Sequence, residues 1–330
     1  MSSITVRKAL RDALAEEMRL NNNVVLLGEE VGEYQGAYKV TEGLLQEFGA
    51  NRVIDTPITE HGFAGMGVGM AFGGLNPIVE FMTFNFAMQA IDHIINSAAK
   101  TSYMSGGTMK CPIVFRGPNG SAAGVAAQHS QCYASWYAHC PGIKVIAPFE
   151  ASHSKALLKA AIKDPSPVVF LEHELAYGMK FDINSDFDLP LEIGKALVTK
   201  TGTDVTIVGF SWIMSKVYEA EKILAEKGIA VEIIDLLTIR PLDIGTIVKS
   251  VKTTNRLVVV EEGWGFSGIG AEISALINEK AFDYLDCNVK RVFAADVPLP
   301  YAKNLEQVAI PSTKQIVNAV LESLYLPLLQ

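Results

Sequence analysis

Short apolar runs alternate with longer segments of helical period along this chain. Runs at 24–27, 52–54, 77–80, 112–115, 144–147 and 168–171 have the length and composition of strands buried on both faces. Segments 5–20, 84–103 and 150–163 instead repeat apolar residues at the spacing of a helix with one buried face. That alternation predicts a mostly parallel sheet covered on both sides. A polar, aspartate-rich stretch from Met179 to Pro190 then breaks the pattern and reads as a domain boundary. A second series follows, with strands at 205–210, 230–236, 257–261 and 291–294 and helices at 212–226, 268–280 and 313–324. The expectation is an α/β protein of two doubly wound domains, 1–180 and 190–330, with no short internal repeat.

One segment departs from ordinary patterning. After the strand at 52–54 come Asp55-Thr56-Pro57-Ile58-Thr59-Glu60-His61-Gly62, and then Gly65, Gly69 and Gly73 at intervals of four. Pro57 ends the strand, so Glu60 falls at a helix start, where free N–H groups and the dipole favour negative charge. The three glycines share one helix face. Each costs roughly 1 kcal/mol against Ala in a helix interior, which suggests a tight helix contact, between subunits by preference. Two readings of Glu60 stand on these residues: a carboxylate held at a cofactor seam, or a capping group on a small-residue helix.

Composition narrows the function classes. The 330 residues are 49% hydrophobic and 19% charged, as in a well-packed globular protein, with net charge −8. No lysine- or arginine-rich run supplies phosphate contacts, which argues against nucleic acid. No apolar run approaches the ~18 residues of a membrane span. Cys111, Cys132, Cys140 and Cys287 lack C-x-x-C spacing and disulfide-scaffold density. With no signal peptide in evidence at the start, the expectation is a cytoplasmic protein, or a processed protein of the mitochondrial matrix.

Among candidate chemistries, Gly263-Trp264-Gly265-Phe266-Ser267-Gly268 fits G-x-G-x-x-G after a strand, with Asp286 about 20 residues on. Glu261-Glu262 and the bulky Trp264 and Phe266 oppose a dinucleotide there, but a nicotinamide dehydrogenase stays open as an alternative. The six histidines show no zinc spacing. His129 stands out by its setting, a long polar loop after a strand, where α/β sheets place chemistry. A structural hydrogen-bonding role fits it equally well.

Several motifs carry a resemblance. They are Gly28-Glu29-Glu30-Val31, Gly36-Ala37-Tyr38-Lys39-Val40, Asp55 to Glu60, Glu80-Phe81-Met82-Thr83-Phe84-Asn85-Phe86 and Phe115-Arg116-Gly117-Pro118-Asn119-Gly120. Gln128-His129-Ser130-Gln131, His139-Cys140-Pro141-Gly142, Thr238-Ile239-Arg240-Pro241 and Ala295 to Ala302 continue it in order. Together they resemble the beta subunits of the pyruvate dehydrogenase decarboxylating component, thiamine-diphosphate enzymes of the transketolase-like group. The resemblance implies a pyrimidine-binding first domain and a transketolase-like C-terminal domain. It implies that Glu60 bonds the pyrimidine ring nitrogen and promotes its imino tautomer, that Phe86 stacks on the ring, and that Met82 and Gln89 line the pocket. His129 would assist proton transfer and acetyl transfer to a lipoyl group.

The same resemblance implies a potassium site at carbonyls near Ile113, Ala161 and Ile162, beside Asp164 and Ser166. An Asp-Pro turn with no ion is the other reading of those residues. No Gly-Asp-Gly stretch for magnesium and diphosphate occurs in this sequence, so an alpha partner is implied, in an α₂β₂ assembly. A surface near Asp286 would receive the subunit-binding domain of a dihydrolipoamide acetyltransferase core. Pyruvate is the expected substrate. Acetoin or branched-chain 2-oxo acid dehydrogenases are the near alternatives, and a non-catalytic assembly subunit the distant one. His61 stands where relatives often carry an apolar or small residue.

Overall fold

The computed structural model describes residues 3–183 and 187–329, so residues 184–186 of the expected boundary stretch lie outside the described residues. The chain divides into two compact units, Met1–Asn119 with Trp136–Ile193, and Gly120–Ser135 with Gly194–Gln330.

In the first unit, six strands lie side by side in the order Lys144–Ile146, Val168–Glu172, Val114–Pro118, Asn76–Glu80, Val24–Gly28, Val53–Asp55. Every pairing among them is parallel. From Val24–Gly28 the chain moves outward to Val53–Asp55, then crosses back to Asn76–Glu80 on the other side. Right-handed crossovers in opposite directions lay their helices on opposite faces, which makes the sheet doubly wound. Such a reversal leaves a crevice at the carboxyl ends of the two strands. Helix Val6–Leu20, capped by the Thr5 side chain, packs on helix Ala151–Lys163. Short strands Ser3–Thr5 and Lys180–Asp182 pair antiparallel.

The helix expected over 84–103 changes its winding along its length. It runs as α-helix Phe84–Ala87, a 3₁₀ turn Met88–Ala90, a π-helical stretch His93–Ala98 and α-helix Ala99–Met104. Beneath it Phe81 stacks edge-on to Phe84, and Phe84 to Tyr137, at 5.7 and 5.5 Å.

The second unit holds a five-stranded sheet in the order Lys290–Ala294, Leu257–Trp264, Val205–Gly209, Val231–Asp235, Leu197–Lys200. Only the last is antiparallel to its neighbour. Among the described residues no helix is long and apolar enough to cross a membrane.

Candidate active site

Three neighbouring strands end together and bring the first candidates to one edge of the sheet. Glu29 follows Val24–Gly28, the turn after Val53–Asp55 leads into helix Glu60–Phe72, and Phe81 to Phe86 follow Asn76–Glu80. The strand ends approach closely at Gly28, where a Cβ would stand 2.5 Å from the Glu80 carbonyl oxygen. Asp55 secures the loop beside them, its carboxylate accepting from the N–H groups of Gly32 and Glu33 at 2.7 and 2.8 Å.

Glu60 is the first residue of its helix, and the cap is Thr59, whose hydroxyl accepts the Gly62 N–H at 3.3 Å. Glu60 is 4% exposed. Among the described residues no hydrogen bond or ion pair engages its carboxylate. Glu29, 7% exposed, lies close enough for the Glu60 charge to act on it. Burial first, then the negative charges of Glu60 and Glu30, push the Glu29 carboxyl above the usual carboxylate range. Its Oε1 and the hydroxyl of Thr56 are buried without hydrogen-bond partners. The edge thus gathers polar groups that the described chain does not satisfy.

Met82 and Phe86 are half-buried and Gln89 is exposed, all on the segment that packs against helix Glu60–Phe72. The glycine face of that helix divides its labour. A Cβ at Gly65 would meet Nε2 of His93 at 2.7 Å, Gly69 faces nothing within 4 Å, and Gly73 terminates the helix. His61 stacks on His93 with ring centroids 4.3 Å apart, and burial followed by the His61 charge lowers the His93 pKa.

Behind the site lies a buried ion cluster that the sequence reading left without a role. Arg116, 1% exposed, pairs through Nη1 with Glu80 and through Nε and Nη2 with Glu172. The Tyr177 hydroxyl donates to Glu172 at 2.6 Å. Glu80, Arg116 and Glu172 sit on three adjacent strands, two of them ending in the glutamates. A carboxylate closing an apolar strand, as in Val168–Glu172, was the available signal.

His129 falls in the second unit, on the loop Gly120–Ser135, in a 3₁₀ turn Ala127–His129. The cation candidates also have geometry. Ala161 O accepts the Asp164 N–H at 3.2 Å, Ile113 O accepts the Val168 N–H at 2.9 Å, and Asp164 Oδ1 accepts the Ser166 N–H at 2.9 Å. Ile162 lies in the last turn of the helix, and the Lys144 ammonium already pairs with Asp164 Oδ2.

The glycine-rich turn at 263–268 has a different use. Glu261 Oε2 and Oε1 accept the N–H groups of Ile269 and Gly270 at 2.9 and 3.0 Å, so the chain's own carboxylate fills the anion position of that helix. A Cβ at Gly265 would strike the Phe293 ring at 2.4 Å and one at Gly268 would strike Glu261 at 2.5 Å. Packing accounts for these glycines, and the nicotinamide alternative loses its motif.

Comparison with known proteins finds two families in series along the chain. Residues 2–180 match the family described as transketolase, pyrimidine binding domain, and residues 194–316 the transketolase C-terminal domain. A pyruvate dehydrogenase E1 component subunit beta of Rhizobium meliloti is 62% identical, over 97% of this chain and 70% of its own. That of Rickettsia bellii is 60% identical over 98% and 99%. The mitochondrial one of Dictyostelium discoideum is 59% identical over 96% and 90%. A solved structure titled split gene transketolase, inactive beta4 tetramer, shares the fold with TM-score 0.81 at 24% identity, covering 98% of this chain and 99% of that one.

Proposed function

The chain belongs to the family of pyruvate dehydrogenase E1 beta subunits, acetyl-transferring oxidoreductases built on transketolase-like domains, and from that premise we propose that it supplies the pyrimidine half of a thiamine diphosphate site. The observation that carries this is Glu60 at the head of its helix, 4% exposed and with no hydrogen bond or ion pair to its carboxylate among the described residues, beside Glu29, whose Oε1 is buried without a partner. An aminopyrimidine, with a basic ring nitrogen and an amino donor, fits such a set. When bound, the cofactor supplies the electron sink that a 2-oxo acid needs to lose its carboxyl group.

The chain's own residues then have distinct work. Glu60 holds a proton against the ring nitrogen, and its charge favours the basic form of the exocyclic group. Half-buried Phe86 and Met82 offer apolar surface to the ring, with Gln89 as a polar neighbour. Glu29, whose carboxyl is pushed up by burial and by the neighbouring Glu60 charge, is the second acid of this edge. His129 moves a proton at the acetyl acceptor, a lipoyl group. Pyruvate is the substrate of this reading, with acetoin and branched-chain 2-oxo acids as the comparison substrates in the assay.

The diphosphate and its magnesium fall to an alpha partner, in an α₂β₂ assembly. An acetyltransferase core is received near Asp286, which is half exposed, pairs with Arg256 at 2.8 Å and borders a surface cavity of about 540 Å³. Potassium belongs to the proposal through the carbonyls of Ile113, Ala161 and Ile162, where Lys144 competes for Asp164.

The test uses the full chain copurified with its alpha partner. Glu60→Gln should preserve assembly and lower decarboxylation about 10²–10⁴-fold, the usual worth of a positioned acid–base group. His129→Ala should impair lipoyl acetylation more than decarboxylation with an artificial electron acceptor. Wild-type turnover in assembled Glu60→Gln would overturn the reading.

A further inference from the structure

The loop that carries His129 is held at its neck by a residue outside every motif quoted for the site. Gly120 N–H donates to the Gln131 carbonyl at 2.9 Å and closes the loop. Next to it, Ser121 N–H donates at 2.5 Å to Oε1 of Glu262, a carboxylate only 8% exposed. The following residue is Gly263, and a Cβ there would stand 3.4 Å from the Cβ of Cys132. The end of strand Leu257–Trp264 therefore holds the first arm of the neck, Ser121, through the Glu262 charge, and Gly263 faces Cys132 on the second arm.

Beyond the neck the loop is strained. Ala126 sits at φ 65° and ψ −162°, a conformation essentially reserved for glycine, and its carbonyl accepts the His129 N–H at 3.2 Å. The strained residue and the histidine thus share one turn. Such strain persists only where the surroundings over-determine it. The anchored neck is one part of those surroundings, and it bounds the loop on the side of Ser121. A backbone N–H held by a buried carboxylate is roughly twice as strong a bond as a neutral pair.

We propose that Glu262 is a positioning residue for His129, fixing the neck of its loop through the Ser121 N–H so that the imidazole meets the lipoyl acceptor in one orientation. The inference rests on the acid–base reading of His129, and its test separates the two.

The full chain copurified with its alpha partner is prepared as Glu262→Gln, Glu262→Ala and His129→Ala. Hydrogen exchange of the peptide covering 120–135 is read by mass spectrometry, beside the ratio of lipoyl acetylation to decarboxylation with an artificial acceptor. In Glu262→Ala, exchange across the neck should speed up about tenfold and the acetylation ratio should fall about tenfold, the equivalent of 1.4 kcal/mol. Glu262→Gln keeps an acceptor oxygen and should show a smaller loss on both readouts, with exchange in the rest of the second unit unchanged. Unchanged exchange at 120–135 in Glu262→Ala overturns the proposal. So does faster exchange with an intact acetylation ratio, if His129→Ala lowers that ratio. If neither Glu262→Ala nor His129→Ala lowers it while exchange still rises, the anchor stands and the role of His129 is what fails.

Discussion

Removing the guanidinium of Arg116 tests whether the strands that end in the site are held by charge. Arg116→Met keeps an unbranched side chain of similar reach but leaves Glu80 and Glu172, 5% and 3% exposed, without their cation. Breaking a buried ion cluster by deleting one partner costs about 3–5 kcal/mol, a large part of a domain's 5–15 kcal/mol. Burial raises the Glu80 carboxyl above the usual range, Arg116 opposes that rise and Glu172 adds to it. A carboxyl raised on folding stabilises at low pH, and that contribution is lost as pH climbs through its folded pKa. Without Arg116 the opposing pull disappears, so Glu80 moves higher still and the loss deepens with pH. Urea unfolding followed by far-ultraviolet circular dichroism should therefore show a larger deficit at pH 8 than at pH 5. Arg116→Lys should fall between, because it restores charge without the two-pronged contact to Glu172. A deficit under about 1 kcal/mol, or one equal at both pH values, would refute the assignment of this cluster as the clamp.

Three other outcomes are expected. Isothermal titration of the chain without a partner should show no tight binding of thiamine diphosphate with magnesium, since the stronger charge-assisted diphosphate contacts are missing; micromolar binding would mean a complete site in this chain. Glu261, raised by burial to about 7 from 4.5 against the pull of Gly270, Ile269 and Arg291, contributes stability at low pH that is lost as pH rises through 7. At about 1.4 kcal/mol per unit that is at most about 3.5 kcal/mol, so thermal midpoints of the second unit should fall from pH 5 to pH 8 and Glu261→Gln should flatten the slope; parallel slopes would remove Glu261 as the cause. Exchanging potassium for sodium should lower the thermal midpoint of the wild type more than that of Asp164→Ala, and equal responses would take the ion away from that carboxylate.

The strands were legible because each is a short apolar run closed by a turn signal, and Val24–Gly28, Val168–Glu172 and Val205–Gly209 stand within a residue or two of their expected bounds. Helix Ile244–Thr254 was missed although Asp243, which accepts the Thr246 N–H at 3.2 Å, announces it as a cap. Edge strand Leu197–Lys200 was missed because its half-exposed alternation lacks an apolar run. The winding changes between 84 and 104 were not readable, since apolar spacing does not distinguish 3₁₀, α and π turns over so few residues. Assignment of 120–135 to the second unit depends on contacts such as Ser121 to Glu262, far apart in sequence, to which periodicity is blind.

Two carboxylates show what local patterns leave undecided. Glu60 begins a helix and Glu261 reaches the start of one from its strand, both beside glycines, and by pattern the glycines after Glu261 had the better-known motif. The structure separates them by what each oxygen already does. Glu261 is consumed by the N–H groups of Ile269 and Gly270, so its helix has no room for a ligand's charge. At Glu60 the hydroxyl of Thr59 has taken the capping duty, and no hydrogen bond or ion pair engages the carboxylate of this 4% exposed residue among the described residues. A buried carboxylate with a full set of donors is an element of the fold. One without them is free to meet a bound group, and that difference, rather than glycine spacing, is why the proposal puts the cofactor at the first unit's sheet edge.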